Sequence, residues 1–162
     1  MGGAGFIIVI GIVIGSMAFA MFTYTQQQAN YIESSTGNPV TIGSVEYVVA
    51  FEGTHEGDKE TEPENTFVMI GVTARNTGEE KTILSEEQFY LIDERNQKHK
   101  AVYGEFSPKD LKTEELEPGK PIEITTQFDI EFNEETQYKI IIRPQKDQST
   151  TDTASICLTN CE

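Results

Sequence analysis

Phe67–Gly78 reads FVMIGVTARNTG. Val68, Ile70, Val72 and Ala74 alternate with Phe67, Met69, Gly71 and Thr73. Successive side chains of a strand point to opposite faces, so a period of two predicts a β-strand. Both faces carry apolar or small residues, which places the strand in the middle of a packed sheet. Asn76-Thr77-Gly78 supplies the turn that ends it.

Strands of the same period lie on either side. Val45, Tyr47, Val49 and Phe51 make an earlier one. Phe89 and Leu91 oppose Tyr90 and Ile92 in a third, which runs into the turn-rich Asp93-Glu94-Arg95-Asn96-Gln97. Ile122, Ile124, Thr126, Phe128 and Ile130 alternate with Glu123, Thr125, Gln127 and Asp129, a strand with one buried and one wet face. Tyr138, Ile140 and Ile142 form the last strong strand, closed by Pro144. Pro118-Gly119 marks a further turn, and Ser85-Glu86-Glu87-Gln88 has capping-box spacing for one helical turn. Spaced strands without a long helical pattern predict an all-β, immunoglobulin-like antiparallel β-sandwich over residues 40–144. The polar segment 145–162, with its cysteine pair, reads as a loose tail.

Gly5–Tyr24, GFIIVIGIVIGSMAFAMFTY, carries no charge. At about 1.5 Å rise per residue such a helix spans roughly 30 Å, the hydrocarbon thickness of a bilayer. Residues 1–24 are therefore expected to be a transmembrane signal anchor, and 25–39 a linker whose first part extends the helix. Two alternatives are a secretory signal cleaved after Ala18-Phe19-Ala20 and a prepilin-type leader. Both call for a basic segment before the apolar run, and the first basic side chain is Lys59. Gly11, Gly15 and Ala18 fall on one helix side, where small residues let a second helix approach closely. The expected topology is single-pass, with the C-terminal domain extracytoplasmic.

The chain has 27 acidic and 12 basic residues, a net charge of −15. All of these charges lie beyond the apolar segment, so the domain repels nucleic acid and favours cations or a basic protein partner. Glu52–Asn65, EGTHEGDKETEPEN, is an acidic loop with oxygens for Ca²⁺ but without the spacing of a calcium-binding loop. Cys157 and Cys161 are expected to form a disulfide in an oxidising compartment. The competing reading is a copper site of soft thiolates with His55 or His99. Nucleophile elbows, zinc-binding HExxH patterns and phosphate-binding glycine loops are missing from the sequence, so an enzyme is not expected and no cofactor is indicated.

FVMIGVTARNTGEEKTIL, SEEQFYLIDERNQKHKA and LEPGKPIEITTQFDI together resemble the small immunoglobulin-like domains of membrane-anchored and lipid-anchored prokaryotic envelope proteins. That resemblance implies turn chemistry for Asn76, Gly78, Pro118 and Gly119. The layout of charge-poor helix and outward sandwich is also similar to the archaellum accessory proteins F and G, which implies a stator-like anchoring role. The expected function is a membrane-anchored interaction module whose partner is an envelope or surface-layer protein, with homo-oligomerisation through the helix as a further expectation. The alternatives are an extracytoplasmic copper or calcium binder and a pilin-like filament subunit.

Overall fold

The computed structural model describes residues 30–104, 106–146, 148 and 150–161, together with Ile14, Ser16, Met17, Phe19 and Met21. The chain divides into two units, Met1–Asn30 and Tyr31–Glu162. In the first, Ile14, Ser16, Met17, Phe19 and Met21 are helical, Ile14, Met17, Phe19 and Met21 are exposed, and Asn30 begins the first strand. The remainder of the expected anchor, including Gly11, Gly15 and Ala18, lies outside the described residues. Among the described residues no helix is long and apolar enough to cross a membrane.

The second unit is an antiparallel β-sandwich. Its strands are β1 (Asn30–Ser35), β2 (Val40–Ile42), β3 (Val45–His55), β4 (Thr66–Asn76), β5 (Thr82–Ser85), β6 (Phe89–Ile92), β7 (Lys98–Lys100), β8 (Thr113–Leu116), β9 (Pro121–Ile130), β10 (Tyr138–Ile142) and β11 (Asp152–Thr159). One sheet has the order β1-β11-β10-β6-β7 and the other β2-β3-β4-β9, with β5-β8 as a separate pair. β4 occupies the interior of its sheet, as its two apolar faces require, with Val72 opposite Val49 on β3 and Ile124 on β9. The alternation becomes a core: Tyr47, Val49, Ile70, Phe89, Phe128 and Ile140 are buried between the sheets. Ser85 opens a single 3₁₀ turn, Glu86–Gln88, with its N–H donating to Gln88 Oε1 at 3.1 Å.

Three departures from the expected layout have physical reasons. The sandwich runs from Asn30 to Thr159, so the linker contributes β1 and the supposed tail contributes β11. Asp152–Thr159 is polar in composition, yet Ala154, Ile156 and Leu158 recur at period two and bury their side chains against β10 and the opposite sheet. Phe51 leaves the core at a register shift between Phe51 and Gly53 and is partly exposed, stacked on Phe132 at 5.6 Å. The expected wet face of β9 is also covered at Thr125 and Gln127, which are buried, while Glu123 stays exposed.

The segment 101–111 makes that cover. Val102 N–H donates to Gln127 O, Leu111 N–H to Thr125 O, and Thr125 N–H to Lys109 O, each at 2.8 Å. Asp110 locks the loop: Oδ2 accepts the N–H groups of Phe106 and Ser107, and Oδ1 accepts the Thr125 hydroxyl at 2.6 Å. Phe106 then lies on Phe67 and on His55, with ring centroids 5.3 and 4.8 Å apart. Gly104 permits this approach, because a Cβ there would sit 2.1 Å from the Phe106 ring.

Candidate functional site

At one end of the sandwich the segments before β4, after β6 and after β9 converge. They line a cleft of about 1000 Å³. Asp93, Glu94, Asp129, Glu131, Glu134 and Glu135 contribute carboxylates to it, and Arg95 and His99 the opposing basic groups. The inner carboxylates serve the backbone. Asp129 accepts the N–H groups of Glu64 and Asn65 at 2.7 and 2.9 Å, which fixes the chain's entry into β4. Asp93 accepts those of Arg95 and Gln97 at 2.9 and 2.8 Å and lies 3.0 Å from His99 Nε2. Burial works to raise the Asp93 pKa, but the His99 hydrogen bond and the two backbone donors outweigh it and hold the carboxyl below its ordinary value.

The outer carboxylates face water. Glu131, Glu134 and Glu135 are exposed on a loop pinned from beneath. Tyr138 accepts the Asn133 N–H and donates to Glu131 O through one hydroxyl. Asn160 Nδ2 donates to the carbonyls of Glu134 and Thr136 at 2.6 and 2.9 Å. The cleft therefore presents negative charge on fixed backbone, which suits attraction and orientation of a basic partner.

Cys157 and Cys161 are bonded to each other, S–S 2.04 Å. The short loop they close carries Asn160, held in the left-handed region at φ 50°, so the disulfide supports the residue that holds the acidic loop. The recess beside it is lined by Glu33, Gln137, Lys139 and Ser155 and contains neither histidine. His99 sits on Asp93, and His55 packs between Phe67 and Phe106 with its Nδ1 accepting the Gly57 N–H at 3.2 Å. In the acidic loop, Asp58 Oδ1 is engaged by the N–H groups of Glu60 and Thr61. Among the described residues, no three His, Cys, Asp or Glu side chains are gathered to hold a metal ion.

Asn76 is more than a turn former. It is fully buried, its Oδ1 accepts the Gly78 N–H, and its Nδ2 donates to the carbonyls of Glu80 and Leu116. Its own carbonyl accepts the Gly119 N–H at 2.8 Å. One residue thus joins the Asn-x-Gly turn, through its side chain, to the Pro-Gly turn that opens β9, through its carbonyl. Sequence reading missed this joining role, the 101–111 cover, β11 and the cationic outer face of β6, β7 and β10. The last two had visible signals in the alternations of Ala154-Ile156-Leu158 and Lys98-Lys100.

Residues 34–153 match the family described as a domain of unknown function, DUF4352. No curated protein matches the sequence. Among solved structures, the chain resembles the YjhA protein of Bacillus subtilis with TM-score 0.59 and 19% identity, over 77% of this chain and 98% of that one. It resembles MPT63, a secreted protein of Mycobacterium tuberculosis, with TM-score 0.61 and 9% identity, over 82% and 99%. It also resembles YcdA, a candidate lipoprotein of Bacillus subtilis, with TM-score 0.60 and 15% identity, over 78% of this chain but 39% of the other. At these identities the likeness is one of fold. It shows a β-sandwich fold and lends no support to the expected kinship with the archaellum accessory proteins.

Proposed function

The chain belongs to the DUF4352 family, and we propose that it is a non-catalytic extracytoplasmic module of the cell envelope. In this reading residues 1–24 tether it to the membrane, and the acidic end cleft recognises a basic patch on an envelope or surface-layer protein. Secreted and lipoprotein-type neighbours support the location. The observation that carries the recognition is the pinned loop 131–137, whose exposed carboxylates stand on backbone fixed by Tyr138 and Asn160. A loop whose backbone is already held adds little ordering cost of its own on binding, and the main effect of its charges is to speed and orient the encounter. A stator-like anchoring role is the narrower form of the same proposal and rests on layout alone.

The test uses the full chain in its native membrane. Protease added to intact cells should remove the domain, and deleting residues 5–24 should release it from the membrane. Cross-linking should capture an envelope protein. The cross-link should weaken steadily as salt rises and fall severalfold in the E131Q/E134Q/E135Q variant. A domain protected in intact cells would overturn the location. An unchanged cross-link in the folded triple variant would overturn the recognition surface.

A further inference from the structure

The outer face of the β1-containing sheet carries a cationic patch in a chain of net charge −15. The cross-strand register places Lys100 beside Tyr90, Tyr90 beside Ile141, Lys98 beside Ile92, and Ile92 beside Lys139. Arg143 follows β10 on the same face. Lys98 Nζ stands 3.4 Å from the Tyr90 ring centroid, and the Arg143 guanidinium carbon 5.1 Å from it. Two like charges thus converge on one aromatic ring.

Carboxylates are abundant, yet these cations do not find them. Lys81, Arg95, Lys109 and Lys120 each pair with a glutamate. Among the described residues Lys98, Lys100, Lys139 and Arg143 have no ion pair. Glu86 and Glu87 border the recess of Tyr90 and Lys100, and Glu33 that of Lys139, without closing one. Burial and the like charges of Arg143 and Lys100 hold the Lys98 ammonium below its ordinary pKa. Lysines also protect a sheet edge, and Lys98 and Lys100 lie on the edge strand β7. That role does not account for Lys139 or Arg143, which belong to an interior strand and the residue after it.

The same chain holds the complement. Glu56, Glu60, Glu62 and Glu64 are exposed in the loop between β3 and β4 and likewise have no ion pair among the described residues. We propose that the cationic face around Tyr90 docks the β3–β4 acidic loop of a second copy of this chain. The contact is heterologous, since face and loop are different surfaces, and each copy keeps one of each free for the next. Tyr90 and Ile141 supply a half-buried apolar floor for the loop.

Net charge opposes such an assembly at long range, and local complementarity favours it at short range. The Debye length is about 30 Å at 0.01 M salt, about 8 Å at 0.15 M and about 3 Å at 1 M. Self-association through this contact should therefore peak at intermediate ionic strength. Binding of a basic envelope partner should instead fall monotonically with salt, so the two readings fail separately.

The test is carbodiimide cross-linking of full-length protein purified from ¹⁴N- and ¹⁵N-labelled cells and reconstituted together into one set of vesicles. Mixed-isotope amide links from Lys98, Lys100 or Lys139 to the loop glutamates, most abundant near 0.15 M salt, are expected. The K98E/K100E/R143E variant should lose the Lys139 links, whose reacting amine it keeps, at least tenfold with an unchanged melting temperature. Mixing it with E56K/E60K/E62K protein should restore association between unlike copies. Same-isotope links alone, or an undiminished yield in the folded variant, overturns the proposal. Capture of anionic vesicles or polyphosphate by the cationic face with no mixed-isotope link overturns it in favour of another anion.

Discussion

The two outer faces of the sandwich have opposite fates. On β3-β4-β9 the outer side is roofed: Phe106, brought down by Asp110, covers Phe67 and His55, and Thr125 and Gln127 become buried. On β10-β6-β7 the outer side stays open and carries lysines and an arginine around a half-exposed tyrosine. A sheet face that keeps apolar residues must cover them or accompany them with charge. The roofed face contributes to stability, and the open one remains accessible for binding.

The largest effect belongs to the layer beneath both faces. Val72→Asp places an unpaired carboxylate in the shared core, costs several kcal/mol and unfolds a domain of ordinary stability, as circular dichroism would record. An unchanged melting temperature would refute the assignment of β4 to the centre. Next comes the roof. Phe106→Ala should cost about 2 kcal/mol, below the full core value for phenylalanine because the ring is half exposed. Hydrogen exchange should rise at Val102, Leu111 and Thr125, whose N–H groups bond between the cover and β9. Tyr90→Ala on the open face should cost under about 1 kcal/mol. Equal losses for the two variants would erase the difference between the faces.

A smaller effect should come from pH at the acidic end. Asp93 has its pKa depressed on folding, so its contribution is complete above its ordinary value of 3.8 and is lost as pH falls through the folded-state value. Asp93→Asn should flatten that part of the acid-unfolding curve while leaving the curve near neutrality parallel to wild type. Reduction of Cys157–Cys161 should have the smallest effect, since the closed loop is short. It should expose two thiols to a thiol reagent with little change in melting temperature, while amide exchange around Glu134 and Thr136 increases as Asn160 loosens.

Period-two alternation determined the strands by itself. In β3, β4, β6, β9 and β10 the residues that must hide from water recur at the spacing of the pleat, and that information is local. The turns were equally legible, because Gly119 at φ 74° and the Asn76 side chain answer to their own neighbours in sequence. Tertiary structure decided what each outer face meets. Nothing local to Thr125 and Gln127 says that Phe106 will cover them, and the alternation of Ala154, Ile156 and Leu158 marks a strand without saying that its partner is β10. It also decided which charges are spent. Asp129 and Asp93 are acids like Glu131 and Glu134 in composition, but the first two are consumed by backbone N–H groups and the last two stand in water. Pairing, covering and capping are contacts between distant segments, and one-dimensional periodicity carries no term for them.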